Sequence, residues 1–197
     1  MISFCIITDN RRPEKLHNLL ASIELQGVEM ETTIAVDSMR RGLLGSLRNQ
    51  AARASRGDIL VVADDDIVFH ADFCKQIHAY AGEWSVMLPR IETNDGGRYW
   101  DWRLWYGNNG QRMEDYTCPD AGNVIPCGAL VIVRRKVWEA VNWSETSRFY
   151  DPVCPEDIDW GERLHKAGYT MTSNPLCIAL HDDPRYKQYG ASVLRTG

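Results

Sequence analysis

Three consecutive carboxylates, Asp64, Asp65 and Asp66, follow directly on the apolar run 59–63. Adjacent anionic side chains repel one another, so at the end of a buried segment they need solvent or a cation. They are hard oxygen donors, and one or two suffice to hold a divalent metal that still has positions open for phosphate and water. A solvated acidic turn has the same composition. His181, at the end of another apolar run, is a candidate distal ligand, and mixed carboxylate and imidazole donors favour Mn2+ over Mg2+. A surface or structural histidine is the plainer reading. Glu156, Asp157 and Asp159 open a helical pattern, where acids serve as dipole partners or, aimed at an acceptor hydroxyl, as a general base. Thr8, Asp9, Asp37, Arg48 and Asn49 all fall at or near expected strand ends or in the loop or helix that follows, where backbone amides and polar side chains could hold a nucleotide.

The elements that must position these residues alternate. Residues 2–8 read as a buried strand and 32–36 as the next strand, and 59–63 has the length and β-branching of a strand covered on both faces. Between them, Leu16, Leu19, Leu20 and Ile23 keep helical spacing behind Pro13, and Leu47, Ala51 and Ala54 predict a second helix that Gly57 ends. This order implies parallel strands with right-handed crossovers. Further on, 70–80 predicts a helix and 86–91 a strand. The aromatic stretch 99–106 reads as a strand or hairpin arm, and 107–126 as a long loop. Residues 127–133 predict a strand, 136–141 a short helix, and the segment from Pro155 a helix whose packed side is Ile158, Gly161, Leu164 and Ala167. Two short strands, 169–172 and 176–180, precede a polar, mobile tail from Pro184.

The 197 residues suit one domain, with 1–66 as a nucleotide-binding half and 84–183 as an acceptor-binding half. A net charge of -5 excludes a global basic field for nucleic acid. The six cysteines form no C-x-x-C pair, which points to reduced thiols and a cytosolic setting, peripheral membrane association being compatible. The first apolar run is far too short to span a bilayer. The sequence leaves the oligomeric state open.

Taken together, Ile7-Thr8, Asn10-Arg-Arg-Pro13, Val36-Asp37, Leu47-Arg-Asn49, Gly57-Asp58, the triplet, Cys127-Gly128 and Pro155-Glu-Asp157 through Gly168-Tyr169 resemble, in order and spacing, the family 2 glycosyltransferases. The resemblance implies the GT-A fold, an α/β architecture with a Rossmann-like, mainly parallel mixed sheet flanked by helices. It also implies a nucleoside-diphosphate sugar donor and a carbohydrate or other hydroxyl-bearing acceptor. Carried over by position, Thr8, Asp37 and Arg48 would contact the nucleoside, and Asp64 or Asp65 the ribose. Asp65 or Asp66, with Asp65 favoured, would hold the metal together with His181. Asp157 would be the base of an inverting transfer, with Glu156 beside it. Trp102, Trp105 and Trp160 offer stacking surface for acceptor sugars, or else core. Two departures leave the nucleobase open: no aromatic follows Thr8, and the loop after Asp37 is short. Sugar-phosphate nucleotidyl transfer is a second reading, weakened because residues 8–12 contain no glycine. A silent nucleotide-sugar-binding module is a third.

Overall fold

Apolar or small side chains on both faces make residues 2–8 a strand with no side for water, and β1 (Ile2–Thr8) is buried throughout. The computed structural model describes residues 1–39, 42–107, 110–118, 123–146 and 156–183. Arg40, Arg41, Cys154, Pro155 and the tail from Pro184 lie outside them. On one face of β1, Phe4 and Ile6 pack under α1 (Pro13–Glu24) through Leu19 and Ile23. On the other, Cys5 and Ile7 meet Ala51 and Ala52 of α2 (Leu44–Ala54). Small residues there let the helix lie close to the sheet.

β2 (Met30–Val36) and β3 (Ile59–Asp64) flank β1, both parallel to it, as the alternation predicts. β4 (Ile67–Phe69) turns back directly after the triplet. After α3 (Phe73–Ala79) come β5 (Val86–Thr93), β6 (Arg103–Trp105), β7 (Gln111–Met113), β8 (Val124–Ile125) and β9 (Leu130–Arg134). α4 (Arg135–Ala140), α5 (Glu156–Lys166) and β10 (Met171–His181) complete the order. Among the described residues the main sheet runs β2-β1-β3-β9-β5-β10-β4. Its strands mostly point one way; β9 and β4 oppose their neighbours. No helix among the described residues is long and apolar enough to cross a membrane.

Several details depart from the sequence reading. The inward face of α2 is Arg48, Asn49, Ala51 and Ala52, while Ala54 is exposed. Asn49 is buried because it ties four groups: its Oδ1 accepts from Trp138 Nε1 and Trp143 N, and its Nδ2 donates to Trp143 O at 2.8 Å and Glu145 Oε1 at 3.1 Å. Gly57 does not end α2, which stops at Ala54. It is glycine because a Cβ there would stand 2.4 Å from Ser3 Oγ, where β3 enters beside β1. The supposed loop 107–126 contains β7 and β8, which pair with β6 in a small second sheet, order β7-β6-β8. The two predicted strands near the end are one strand, β10, with an irregularity between Asn174 and Ile178 that absorbs Pro175. Ala167 lies beyond α5 and is exposed.

The corner where β2, β1 and β3 begin is fastened by Glu31. Its carboxylate accepts from Ser3 Oγ at 2.7 Å, from Gly57 N at 3.1 Å and from Arg56 N. The bond from Ser3, with those from the two amides, holds its pKa down from the ordinary 4.5 to about 2. A depressed carboxyl contributes stability that is complete above 4.5 and lost as pH falls through 2. Urea unfolding as a function of pH should therefore show a loss of stability in that window, and Glu31→Gln should flatten it.

Candidate active site

The antiparallel strand and the short reversal decide what meets the aspartates. Because β9 opposes β3, its beginning lies at the acid-tipped end of β3: Ala63 pairs with Leu130, and Asp64 N donates to Ala129 O at 2.9 Å. Because β4 turns back from Asp66 and pairs with β10, Ile67 faces His181, and Asp182 N donates to Asp66 O at 2.8 Å. Three distant segments thus converge on the carboxyl ends of β1 and β3, the rim where open α/β sheets bind ligands.

Within the triplet the side chains differ sharply in exposure. Asp64 is 30 % exposed, against 3 % for Asp65 and 6 % for Asp66. The required cations come from the protein itself. Arg12 places Nη2 2.6 Å from Asp65 Oδ1 and Nη1 2.7 Å from Asp66 Oδ2, with Asp183 at 3.5 Å. Burial opposes its charge, but Asp66 and Asp65 outweigh it and raise its pKa. Thr8 Oγ1 donates to the other oxygen of Asp65. Both Asp65 oxygens are therefore engaged, whereas buried Asp66 Oδ1 accepts no hydrogen bond among the described residues and faces His181 Nε2 at 3.8 Å. Tyr99 stacks on the His181 ring, centroids 4.1 Å apart. Burial lowers the His181 pKa, keeping the ring neutral, the form that ligates metals.

On the other side of Gly128 stands a second carboxylate pair. Arg48, 1 % exposed, donates from Nη1 to Glu156 Oε1 at 2.5 Å and from Nη2 to Gly128 O at 2.8 Å and Asp64 Oδ1 at 3.3 Å. Asp157 Oδ2 is held by Arg103 Nη2 and accepts from Gly128 N at 3.2 Å; its Oδ1 accepts from Ile158 N at 2.8 Å. Arg103, on β6, also reaches Pro126 O and Gln111 Oε1. A Cβ on Gly128 would lie 3.2 Å from Arg48 Nη2, Asp157 Oδ2 and Glu156 Oε1 alike. Any larger residue would crowd the junction that the two carboxylate groups share, so its neighbours would have to give by a few tenths of an ångström.

The other expected site residues lie as follows. Asp37 accepts from Gly42 N at 2.9 Å, and its own amide donates to Thr8 O. Asp9 pairs with Arg11 at the surface. Arg48 is buried among carboxylates, with its guanidinium turned to Glu156, Asp64 and the Gly128 carbonyl. Two of the three tryptophans depart from the expected acceptor platform. Trp160 is fully buried, stacked on Trp143 at 3.8 Å with Nε1 donating to Val141 O, and Trp102 is 4 % exposed. Helical spacing turns Trp160 to the packed side of α5, between buried Ile158 and Leu164. Trp105 is half-buried, its Nε1 donating to Glu162 Oε1. Sequence reasoning missed the clamping roles of Arg12 and Arg103. The Arg-Pro step before α1 was a visible signal for the first; nothing in the sequence places Arg103 against Asp157.

Comparison with known proteins identifies the family and the fold. Residues 5–141, more than half of the chain, match the family model for Glycosyl transferase family 2. The chain belongs to glycosyl transferase family 2. No curated protein sequence matches it. Three solved structures share the GT-A fold of this glycosyl transferase. One is a Drosophila β-1,4-galactosyltransferase 7 mutant in complex with manganese, UDP-Gal and xylobiose: TM-score 0.58, 16 % identity, 97 % of this chain and 74 % of that one covered. S. aureus TarS gives TM-score 0.60 and 14 % identity over 93 % of this chain and 60 % of that one. A mannosyltransferase from Pyrobaculum calidifontis, in complex with GDP-Man and Mn2+, gives 0.60 and 14 % over 94 % and 58 %. This glycosyl transferase thus spans about three-fifths of the latter two chains.

Two outcomes follow for this glycosyl transferase. Breaking a buried ion pair from one side strands the other charge, so Arg48→Met should cost about 3–5 kcal/mol in denaturant unfolding. Although the Asp64 side chain keeps an edge to solvent, lost hydration, with the nearby Asp66, Glu156 and Asp65, raises its carboxyl to about 7 against the pull of Arg48. The folded state then binds the extra proton between the ordinary 3.8 and 7, so metal-free stability should decline as pH rises through that window. Asp64→Asn should remove that decline in pH-dependent unfolding.

Proposed function

We propose that the protein is a metal-dependent hexosyltransferase that moves a sugar from a nucleoside-diphosphate donor to an acceptor hydroxyl with inversion. The carrying observation is the meeting, across Gly128, of an acid-tipped strand end with a separate carboxylate held by an arginine. The first suits a metal and a diphosphate; the second suits proton removal from an acceptor on the opposite face of the sugar. Support comes from the neighbours crystallised with UDP-Gal or GDP-Man and manganese.

The residues fit a dication. Asp64, Asp65, Asp66 and Asp183 crowd one rim, and Asp66 Oδ1 is buried without a hydrogen bond opposite the neutral His181 ring. Among the described residues no group of three or more His, Cys, Asp or Glu side chains is placed to hold an ion; an ion on Asp66 and His181 would take its remaining ligands from phosphate and water. Asp66 and His181 would hold it, with Asp65, occupied by Thr8 and Arg12, shaping the rim from behind. When bound, Mn2+ or Mg2+ offsets charge developing on the departing diphosphate.

The protein's own groups do the rest. Arg103 and the Gly128 amide fix Asp157 through Oδ2, leaving Oδ1, with one hydrogen bond, to receive the acceptor proton. The freed oxygen attacks the anomeric carbon as the diphosphate leaves from the other side. Glu156 positions rather than reacts: it is 2 % exposed and neutralises Arg48. Partly exposed Trp105 and Tyr106 are the aromatic faces that can border the acceptor. A location in the cytoplasm, free or peripheral to a membrane, accords with five free cysteines among the described residues.

Incubation with Mn2+ and a panel of UDP- and GDP-sugars should release nucleoside diphosphate slowly without acceptor and faster with one. Asp157→Asn should lower transfer by a factor of about 100 or more while leaving nucleotide affinity nearly unchanged. Undiminished turnover would remove Asp157 from the base role. Asp66→Asn should abolish the Mn2+ dependence of nucleotide binding, measured by calorimetry.

A further inference from the structure

Arg12 differs from the other two arginines of the site in a way that burial makes plain. Its side chain is 34 % exposed, whereas Arg48 is 1 % and Arg103 8 % exposed. It stands on the residue that opens α1, where its carbonyl accepts from Lys15 N at 3.0 Å and Leu16 N at 3.2 Å. The backbone is thus anchored while the guanidinium reaches out on a flexible stem. That guanidinium spans Asp65 and Asp66 in a two-point grip and lies 3.5 Å from Asp183. The remaining oxygen of Asp66, Oδ1, is the one turned toward His181.

From this we infer that Arg12 is an exchangeable counter-cation. It neutralises Asp65 and Asp66 until a dication takes over that task, then transfers to the donor's diphosphate. The inference rests on the metal and nucleotide reading above and assigns a residue to it that motif reasoning did not. A dication on Asp66 would stand beside the guanidinium, and like charges that close repel. A diphosphate resolves the conflict, because its oxygens offer the planar fork the same two-point geometry as the carboxylates it leaves. Arg12 therefore opposes the metal alone and assists the metal with nucleotide. Cooperative binding follows: neither cation nor nucleotide binds well without the other.

The test is calorimetric titration of Mn2+ into the full chain as wild type, Arg12→Gln and Arg11→Gln, without nucleotide and then with UDP and GDP. Arg11 pairs with Asp9 at the surface, so its substitution removes the same charge one residue away without touching Asp65 or Asp66. Arg12→Gln should bind Mn2+ alone about tenfold more tightly than wild type, since the competing guanidinium holds the site most of the time. Arg11→Gln should shift it less than about twofold, as screening dictates. At saturating Mn2+, affinity for whichever of UDP and GDP the wild type binds should fall about tenfold in Arg12→Gln. Should Arg12→Gln fail to fold by circular dichroism, Arg12→Lys keeps the charge, loses the fork, and should tighten Mn2+ binding in the same direction. Equal Mn2+ affinity in all three proteins overturns the exchange, as does weaker binding in Arg12→Gln or equal tightening in Arg11→Gln. Mn2+ binding to none of them, with UDP and GDP as well as without, overturns the metal reading itself, and the exchange with it.

Discussion

Negative charge is concentrated at one rim of the sheet, and its neutralisation constrains everything around it. Asp64, Asp65, Asp66 and Asp183 gather there with Glu156 and Asp157, against the guanidiniums of Arg12, Arg48 and Arg103. Carboxylates outnumber guanidiniums two to one. A buried charge without a partner is among the most costly features a fold can carry, so each arginine is set against carboxylates. Arg48 and Arg103 are sealed inside and belong to the scaffold. Arg12 borders solvent and belongs to the traffic of ligands. The negative excess that remains is what a dication is suited to meet.

Much of this was legible in the sequence, for reasons that can be named. β1, β3 and the helices between them announce themselves because periodicity and strand length are local properties. The triplet announces itself because three charges after a buried run are anomalous. What stayed hidden is relational. β4 is three residues long, too short for any period, yet it carries His181 to Asp66. β9 reads as one more apolar strand, and apolar runs do not declare direction; its reversal sets Gly128 between the two acid groups. Arg48 looked like a nucleoside contact, because a positive residue beside Leu47 gives no hint that three acceptors await it inside. Trp160 sits in a motif of functional acids and yet packs on Trp143, since helical spacing turned it inward.

The register of the triplet shows the same limit at the scale of single atoms. Sequence supplies three equivalent aspartates and favours the middle one as ligand. The structure separates them by partner: Thr8 and Arg12 use both oxygens of Asp65, Arg48 holds Asp64, and Asp66 alone keeps a buried oxygen uncommitted. Neighbouring residues of one strand end point in different directions, and the direction selects the chemistry.

Identities of 14–16 % with structures of TM-score 0.58–0.60 show that many sequences can keep this sheet. The charged centre leaves far less room. Gly128 shows how narrow the margin becomes at the centre. Arg48 crosses it, one amine on Asp64 and the other on Glu156, so the strand that would meet the donor and the helix that would meet the acceptor share a single guanidinium. Displacing either carboxylate leaves Arg48 unbalanced and pulls on the other. The two halves of the site are therefore coupled by charge through a group that need not touch substrate, and their relative placement is fixed before any ligand arrives.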